Sequence, residues 1–151
     1  MTMKKTLLVF LFFLLAAPFA RGEAGISVKD PWVRQNPPGT LVTAAYMVKE
    51  NPGATADELL SVSCDCSAEA SIHVIEMGED SMVMREVPSI AVPPGASVGL
   101  SPGGSHLMLE GLSGDIKDNV VLELKFRSGA RISVKAPVLS PQAAQKRSHH
   151  H

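Results

Sequence analysis

Two cysteines, one tryptophan, one tyrosine and a formal charge of only −1 are spread over 151 residues. A charge so close to zero leaves no basic field to hold nucleic acid or an anionic membrane. Aromatic residues make up 5% of the chain, yet the hydrophobic share is 45%, too high for a disordered chain. No apolar stretch reaches the roughly 20 residues that a membrane-spanning helix requires, so stable insertion is not expected. Apolar residues at helical spacing nowhere persist long enough for a substantial helix. There is no G-x-S-x-G elbow, and Asp57, Glu58, Glu79 and Asp80 show no pairing suited to acid–base chemistry. No internal repeat and no linker interrupts the chain. What remains is one domain, long enough to build a core without covalent staples.

Lys4 and Lys5 precede an apolar run from Leu7 to Ala17, followed by Pro18 and small residues. Charge, apolar run and small residues are the three parts of a secretory signal peptide, predicted for residues 1–24 with cleavage between 20 and 24. No cysteine lies near that site for lipid attachment. The mature protein is therefore expected to be a soluble, mildly acidic, exported domain over residues 25–139. Residues 140–151 are polar, lack an apolar period and end in His149, His150 and His151, which reads as a disordered tail. Its histidines are either a purification-tag remnant or a second, weak copper site.

Between these ends, short β-type runs alternate with Pro, Gly, Asn and Asp. The runs are Ile26–Arg34, Leu41–Lys49, Glu58–Ser63, Ala70–Met77, Met82–Val87, Ser97–Leu100, His106–Leu109, Val120–Arg127 and Arg131–Leu139. Turn signals such as Asn51-Pro52-Gly53, Gly78-Glu79-Asp80 and Pro102-Gly103-Gly104 separate them. Val120, Leu122, Leu124 and Phe126 alternate with Val121, Glu123 and Lys125, as half-buried antiparallel strands do. An all-β sandwich or Greek-key barrel of about eight or nine short strands is expected.

Between the predicted cleavage site and Arg147 there are only two histidines, His73 and His106, and five methionines, Met47, Met77, Met82, Met84 and Met108. Thioether sulfur is soft and imidazole borderline, a combination that favours Cu(I) over hard cations. Outside the cytoplasm thiolates tend to be lost to disulfides, whereas His and Met are not. His106 and Met108 are two apart, so a strand presents both on one face and Leu107 and Leu109 on the other. A hairpin through Gly78–Ser81 would set His73 and Met84 on paired strands, and the Pro102-Gly103-Gly104 turn would bring the second pair alongside.

The spacing His73, ten residues, Met84, twenty-one residues, His106, one residue, Met108 matches the H-x10-M-x21-H-x-M signature of the periplasmic copper chaperones called PCu(A)C. Leu100–Leu109 resembles that family's L-x-PGG-x-H-x-ML segment. Asp30–Arg34 resembles its first strand and Ala44–Met47 its second. The resemblance covers roughly residues 26–138. It implies a cupredoxin-like β-barrel that binds one Cu(I) through His73, Met84, His106 and Met108. It further implies periplasmic delivery to a copper-accepting protein, such as the cytochrome oxidase subunit that carries the dinuclear copper centre or another copper chaperone. Because imidazole must be neutral to coordinate, copper affinity is expected to fall below about pH 6.5.

Other features have plainer readings. Met77 and Met82 match no ligand position of the family and read as loop or half-buried side chains, with an auxiliary copper contact as the alternative. Cys64-Asp65-Cys66 reads as an oxidised pair, with a supplementary copper site or a thiol–disulfide redox centre as alternatives. No cysteine lies between His73 and Met108, which disfavours a blue-copper site. Trp32 reads as core or edge packing, and Arg34 and Arg85 as solvated charges. A carrier rather than an enzyme is expected; a redox protein and a metal-free structural domain are the competing classes.

Overall fold

The computed structural model describes residues 25–148, so the signal peptide and the three terminal histidines of the sequence reading lie outside the described residues. The strands run in the order β1 (Ser27–Arg34), β2 (Val42–Glu50), β3 (Asp57–Cys64), β4 (Ser67–Met77), β5 (Met82–Val87), β6 (Ile90–Val92), β7 (Ser97–Leu100), β8 (His106–Leu112), β9 (Asn119–Phe126) and β10 (Arg131–Leu139). A short helix, α1 (Pro141–Ser148), follows.

β9 shows how sequence becomes strand here: Val120, Leu122, Leu124 and Phe126 are buried, and the residues between them are exposed. One half of the fold carries the strand order β5-β4-β8-β2-β1, with β7 also paired to β2, and the other carries β10-β9-β3-β6. A short parallel pairing of β1 with β10, Val33 opposite Val138 and Arg34 opposite Leu139, joins the two halves. Every other pairing is antiparallel. Apolar residues of both halves, among them Val33, Ile72 and Leu107 from one and Leu59, Leu122 and Phe126 from the other, form one core. The architecture is an all-β, cupredoxin-like Greek-key sandwich.

Three details differ from expectation. β6, between Pro88 and Pro93, adds a tenth strand; with only three residues it offers no periodicity to recognise. The segment read as a disordered tail contains α1. Ser140 caps it, its Oγ accepting from the Ala143 N–H at 3.3 Å and its carbonyl from the Ala144 N–H at 2.9 Å. Pro141 suits the first helical position and Lys146 and Arg147 suit the last turn, so capping and dipole terms stand in for an apolar stripe. Finally, Met77 and Met82 are not loop residues but a facing pair at the turn end of the β4–β5 hairpin.

Candidate metal centre

β8 owes its position to the turn before it. In Ser101–Ser105, Gly103 adopts φ +80°, a left-handed conformation that costs glycine little. The Gly104 N–H donates to the Ser101 carbonyl at 2.9 Å and the Ser101 N–H to the Ser105 carbonyl at 3.0 Å. The chain therefore enters β8 with Leu107 and Leu109 turned into the core and His106 and Met108 turned outward, half-buried. Burying those two leucines contributes on the order of 2 kcal/mol each, which anchors the outward pair.

β4 lies between β5 and β8, and its register decides what meets on the outer face. His73 is directly opposite His106, and Ser71 is opposite Met108. Across the other ladder, His73 is opposite Glu86 and Ile75 is opposite Met84. The structure thus brings the two imidazoles together, stacked with centroids 5.6 Å apart and an interplanar angle of 21°. Met84 and Met108 share that face but lie one register step from His73 in opposite directions, Met84 towards the hairpin end. Diagonal neighbours of this kind are roughly 7–8 Å apart, within reach of long side chains.

Hydrogen bonds orient both rings. The Nδ1 of His106 is 2.9 Å from the Gly104 carbonyl oxygen, an acceptor only, so Nδ1 donates and, in the neutral ring, the lone pair is on Nε2. The Nε2 of His73 is 2.9 Å from the Ser71 hydroxyl, while its Nδ1 is buried without any hydrogen-bond partner. A buried nitrogen without a partner carries a free-energy cost unless something satisfies it. A soft cation beside His106 would do so, and the donor set of imidazole and thioether fits one.

The same face continues through residues that the sequence reading did not place there. Trp32 pairs with Tyr46 across β1 and β2, their ring centroids 4.5 Å apart. The Tyr46 ring lies 6.5 Å from that of His106, and the Arg34 guanidinium sits 5.9 Å from the Tyr46 centroid. Trp32 is 9% exposed, and packing in this aromatic row, rather than in the core between the sheets, covers it. Burial raises the Tyr46 hydroxyl above its ordinary pKa, and the Arg34 charge opposes that rise. The signal for Ser71 was its place two residues before His73, on the same strand face. A groove of about 900 Å³ between α1 and residues such as Trp32, Met47 and Pro102 includes none of the four predicted ligands.

Cys64 and Cys66 form a disulfide at the β3–β4 corner, at the far end of β4 from Met77. The close approach of Cys64, Asp65 and Cys66 therefore offers no thiolate to a metal. The pair is a local clasp and not a redox centre.

A half-buried imidazole pair on the outer face of a sandwich with this strand order defines a cupredoxin-like domain of the PCuAC kind. The chain belongs to the LpqE-like family, whose model, described as "Putative lipoprotein LpqE-like", matches residues 26–138. The "Putative lipoprotein Lxx21020" of Leifsonia xyli subsp. xyli is 27% identical over 117 residues, 76% of this chain and 69% of that protein. Among solved structures, the apo PmoF2 PCuAC domain is 25% identical at a TM-score of 0.65, over 78% of this chain and 92% of that one. The solution structure of CuI-DR1885 from Deinococcus radiodurans is 26% identical at a TM-score of 0.62, over 79% of this chain and 80% of that one. The family model and the Leifsonia protein are the two described as a "Putative lipoprotein". No helix among the described residues is long and apolar enough to cross a membrane.

Proposed function

We propose that the protein is an exported, periplasmic copper chaperone that binds one Cu(I) through His73, His106, Met84 and Met108. The observation that carries this reading is the stacked His73–His106 pair with one imidazole nitrogen buried and unpartnered. The likeness to a PCuAC domain of PmoF2 and to a Cu(I)-loaded protein of Deinococcus radiodurans supports copper as the cargo.

In this reading the imidazoles form the fixed part of the site, because strand pairing and hydrogen bonds hold both rings. The methionines are the adjustable part, each swinging a thioether on three rotatable bonds over the pair. All four donors are neutral, so the loaded site keeps the single positive charge of the ion. Met84 is 47% exposed, which leaves one ligand open to attack from outside. Transfer is ligand exchange: a thiolate or thioether of the acceptor bonds to the ion as Met84 leaves, and the remaining ligands follow. Copper stays Cu(I) throughout, and no covalent bond of a substrate changes, so the protein acts as a carrier and not as an enzyme. Its acceptor is a copper-site protein, of which the dinuclear copper subunit of cytochrome oxidase is the example implied by the family resemblance.

Anaerobic Cu(I) titration of the chain without His149–His151, against a competing chelator, tests the reading. The first equivalent should bind at these four residues. His106→Ala and Met84→Ala should each weaken binding at least as much as the roughly 10–100-fold that loss of an outer partner costs a metal site. Stoichiometric binding that is indifferent to both substitutions would overturn it.

A further inference from the structure

Beyond the imidazole pair, the β4–β5 hairpin carries a second set of soft donors. Its ladder runs without a shift from Ile72 opposite Val87 to Met77 opposite Met82. Residues 73, 75 and 77 of β4 and 82, 84 and 86 of β5 therefore share one face, so Met77, Met82 and Met84 sit together at its turn end. Their exposures are 79%, 57% and 47%. Leaving three such side chains largely in water forgoes the stabilisation that burial would give them. β5 is also an edge strand, where exposed apolar side chains invite association and charged ones are the usual safeguard. Packing accounts for none of the three.

Their geometry suits a soft ion. Met77 and Met82 are directly opposed, with Cα atoms roughly 4.5–5.5 Å apart. Met84 stands one register step inward, roughly 7 Å away. Three flexible thioethers so placed can converge on one point, and three neutral sulfurs in a trigonal arrangement suit Cu(I), with its filled d shell. The connecting turn carries Glu79 and Asp80, both exposed, which attract a cation to this end. Arg85, on the opposite face, is held by Glu76 at 3.2 Å, so its charge does not oppose that attraction.

We infer that Met77, Met82 and Met84 form a second Cu(I) site, distinct from the imidazole site and sharing Met84 with it. The inference rests on the reading of Cu(I) as cargo and extends it to a place of entry. Met77 lies four residues from His73, about 13 Å along the strand, and Met84 is between the two positions. An ion held at the hairpin end reaches the imidazoles when Met84 rotates inward. A bond to imidazole nitrogen then forms as the bonds to Met77 and Met82 break, with no change in oxidation state.

The test is anaerobic titration of the full chain, labelled with ¹³C at the methionine methyls, using Cu(I) itself as the probe. Single Met→Leu variants assign the signals, and the imidazole resonances are followed in parallel. The first equivalent should move His73, His106, Met84 and Met108, and the second should move Met77 and Met82 and shift Met84 again, because the two sites share that thioether. Met77→Leu combined with Met82→Leu keeps the apolar bulk on exposed positions and should abolish the second response while leaving the first. If the imidazoles respond and the methyls of Met77 and Met82 stay fixed through two equivalents, this inference fails and the proposed chaperone site stands. If Met77 and Met82 respond and the imidazoles do not, the second site stands and the proposed function fails. Silence at both positions overturns both.

Discussion

Lys49→Met should make the protein more stable. β2 points Thr43, Ala45, Met47 and Lys49 towards the interior, all four buried. Lys49 is 0% exposed, its cross-strand neighbours are Val28 and Val98, and its Nζ has no hydrogen-bond partner. Burial lowers its pKa from 10.5 to about 8. At 1.36 kcal/mol per tenfold change in proton affinity, that gap means the buried ammonium costs about 3 kcal/mol at neutral pH. Methionine has similar length and no charge, so the substitution should recover most of this, about 10 °C in melting temperature for a domain of this size. The sign with pH follows from proton counting. Between about 8 and 10.5 the unfolded chain holds a proton that the folded chain lacks, so wild-type stability should rise through that window. The Lys49→Met advantage should shrink over the same range. Urea unfolding at pH 7 and pH 10.5, with both proteins side by side, measures the difference. A variant less stable than wild type, or an advantage unchanged between the two pH values, would refute the reasoning.

Asp57 accepts from the Ser128 hydroxyl at 2.6 Å, the Ser128 N–H at 3.0 Å and the Glu58 N–H at 2.8 Å. Burial alone would raise its pKa, but these bonds outweigh it and hold the carboxyl below its ordinary value. Its stabilising contribution should be present above the ordinary carboxylate range and vanish as pH falls through the lowered value. Ser128→Ala should cost about 1–2 kcal/mol in urea unfolding at pH 7 and less at pH 2. Gly111 adopts φ +65°, and a Cβ there would stand 2.8 Å from the Cβ of Ala68 on β4. Gly111→Ala should cost on the order of 1–3 kcal/mol in thermal unfolding, from combined backbone and steric strain. Replacing Cys64 and Cys66 with serine should leave Cu(I) titration unchanged and lower stability by about 1–2 kcal/mol, as a very short loop allows.

Strands with a period of two were legible because alternation is a local property; β9 follows its sequence residue by residue. β6 was not, since three residues between prolines carry no period. α1 was missed because it holds through a serine cap and polar helix formers, and the search was for an apolar stripe. The same-face placement of His106 and Met108 is fixed by spacing alone. The pairing of Met84 with Ile75 and of His73 with Glu86 depends on how the Gly78–Ser81 turn closes, which composition does not dictate. The burial of Lys49 was hidden for another reason. It continues the inward phase of β2, but a lysine near a strand end ordinarily reads as a solvated boundary.

The single tryptophan stands against the single tyrosine, and that tyrosine's ring is the next neighbour of an imidazole. Indole fluorescence thus originates from one known residue, only one ring removed from the outer-face histidines. Any event that alters His106 changes the surroundings of the phenol and, through it, the indole's quantum yield. Stopped-flow fluorimetry on the unlabelled chain can therefore time events at that face without a dye, a label or a mutation.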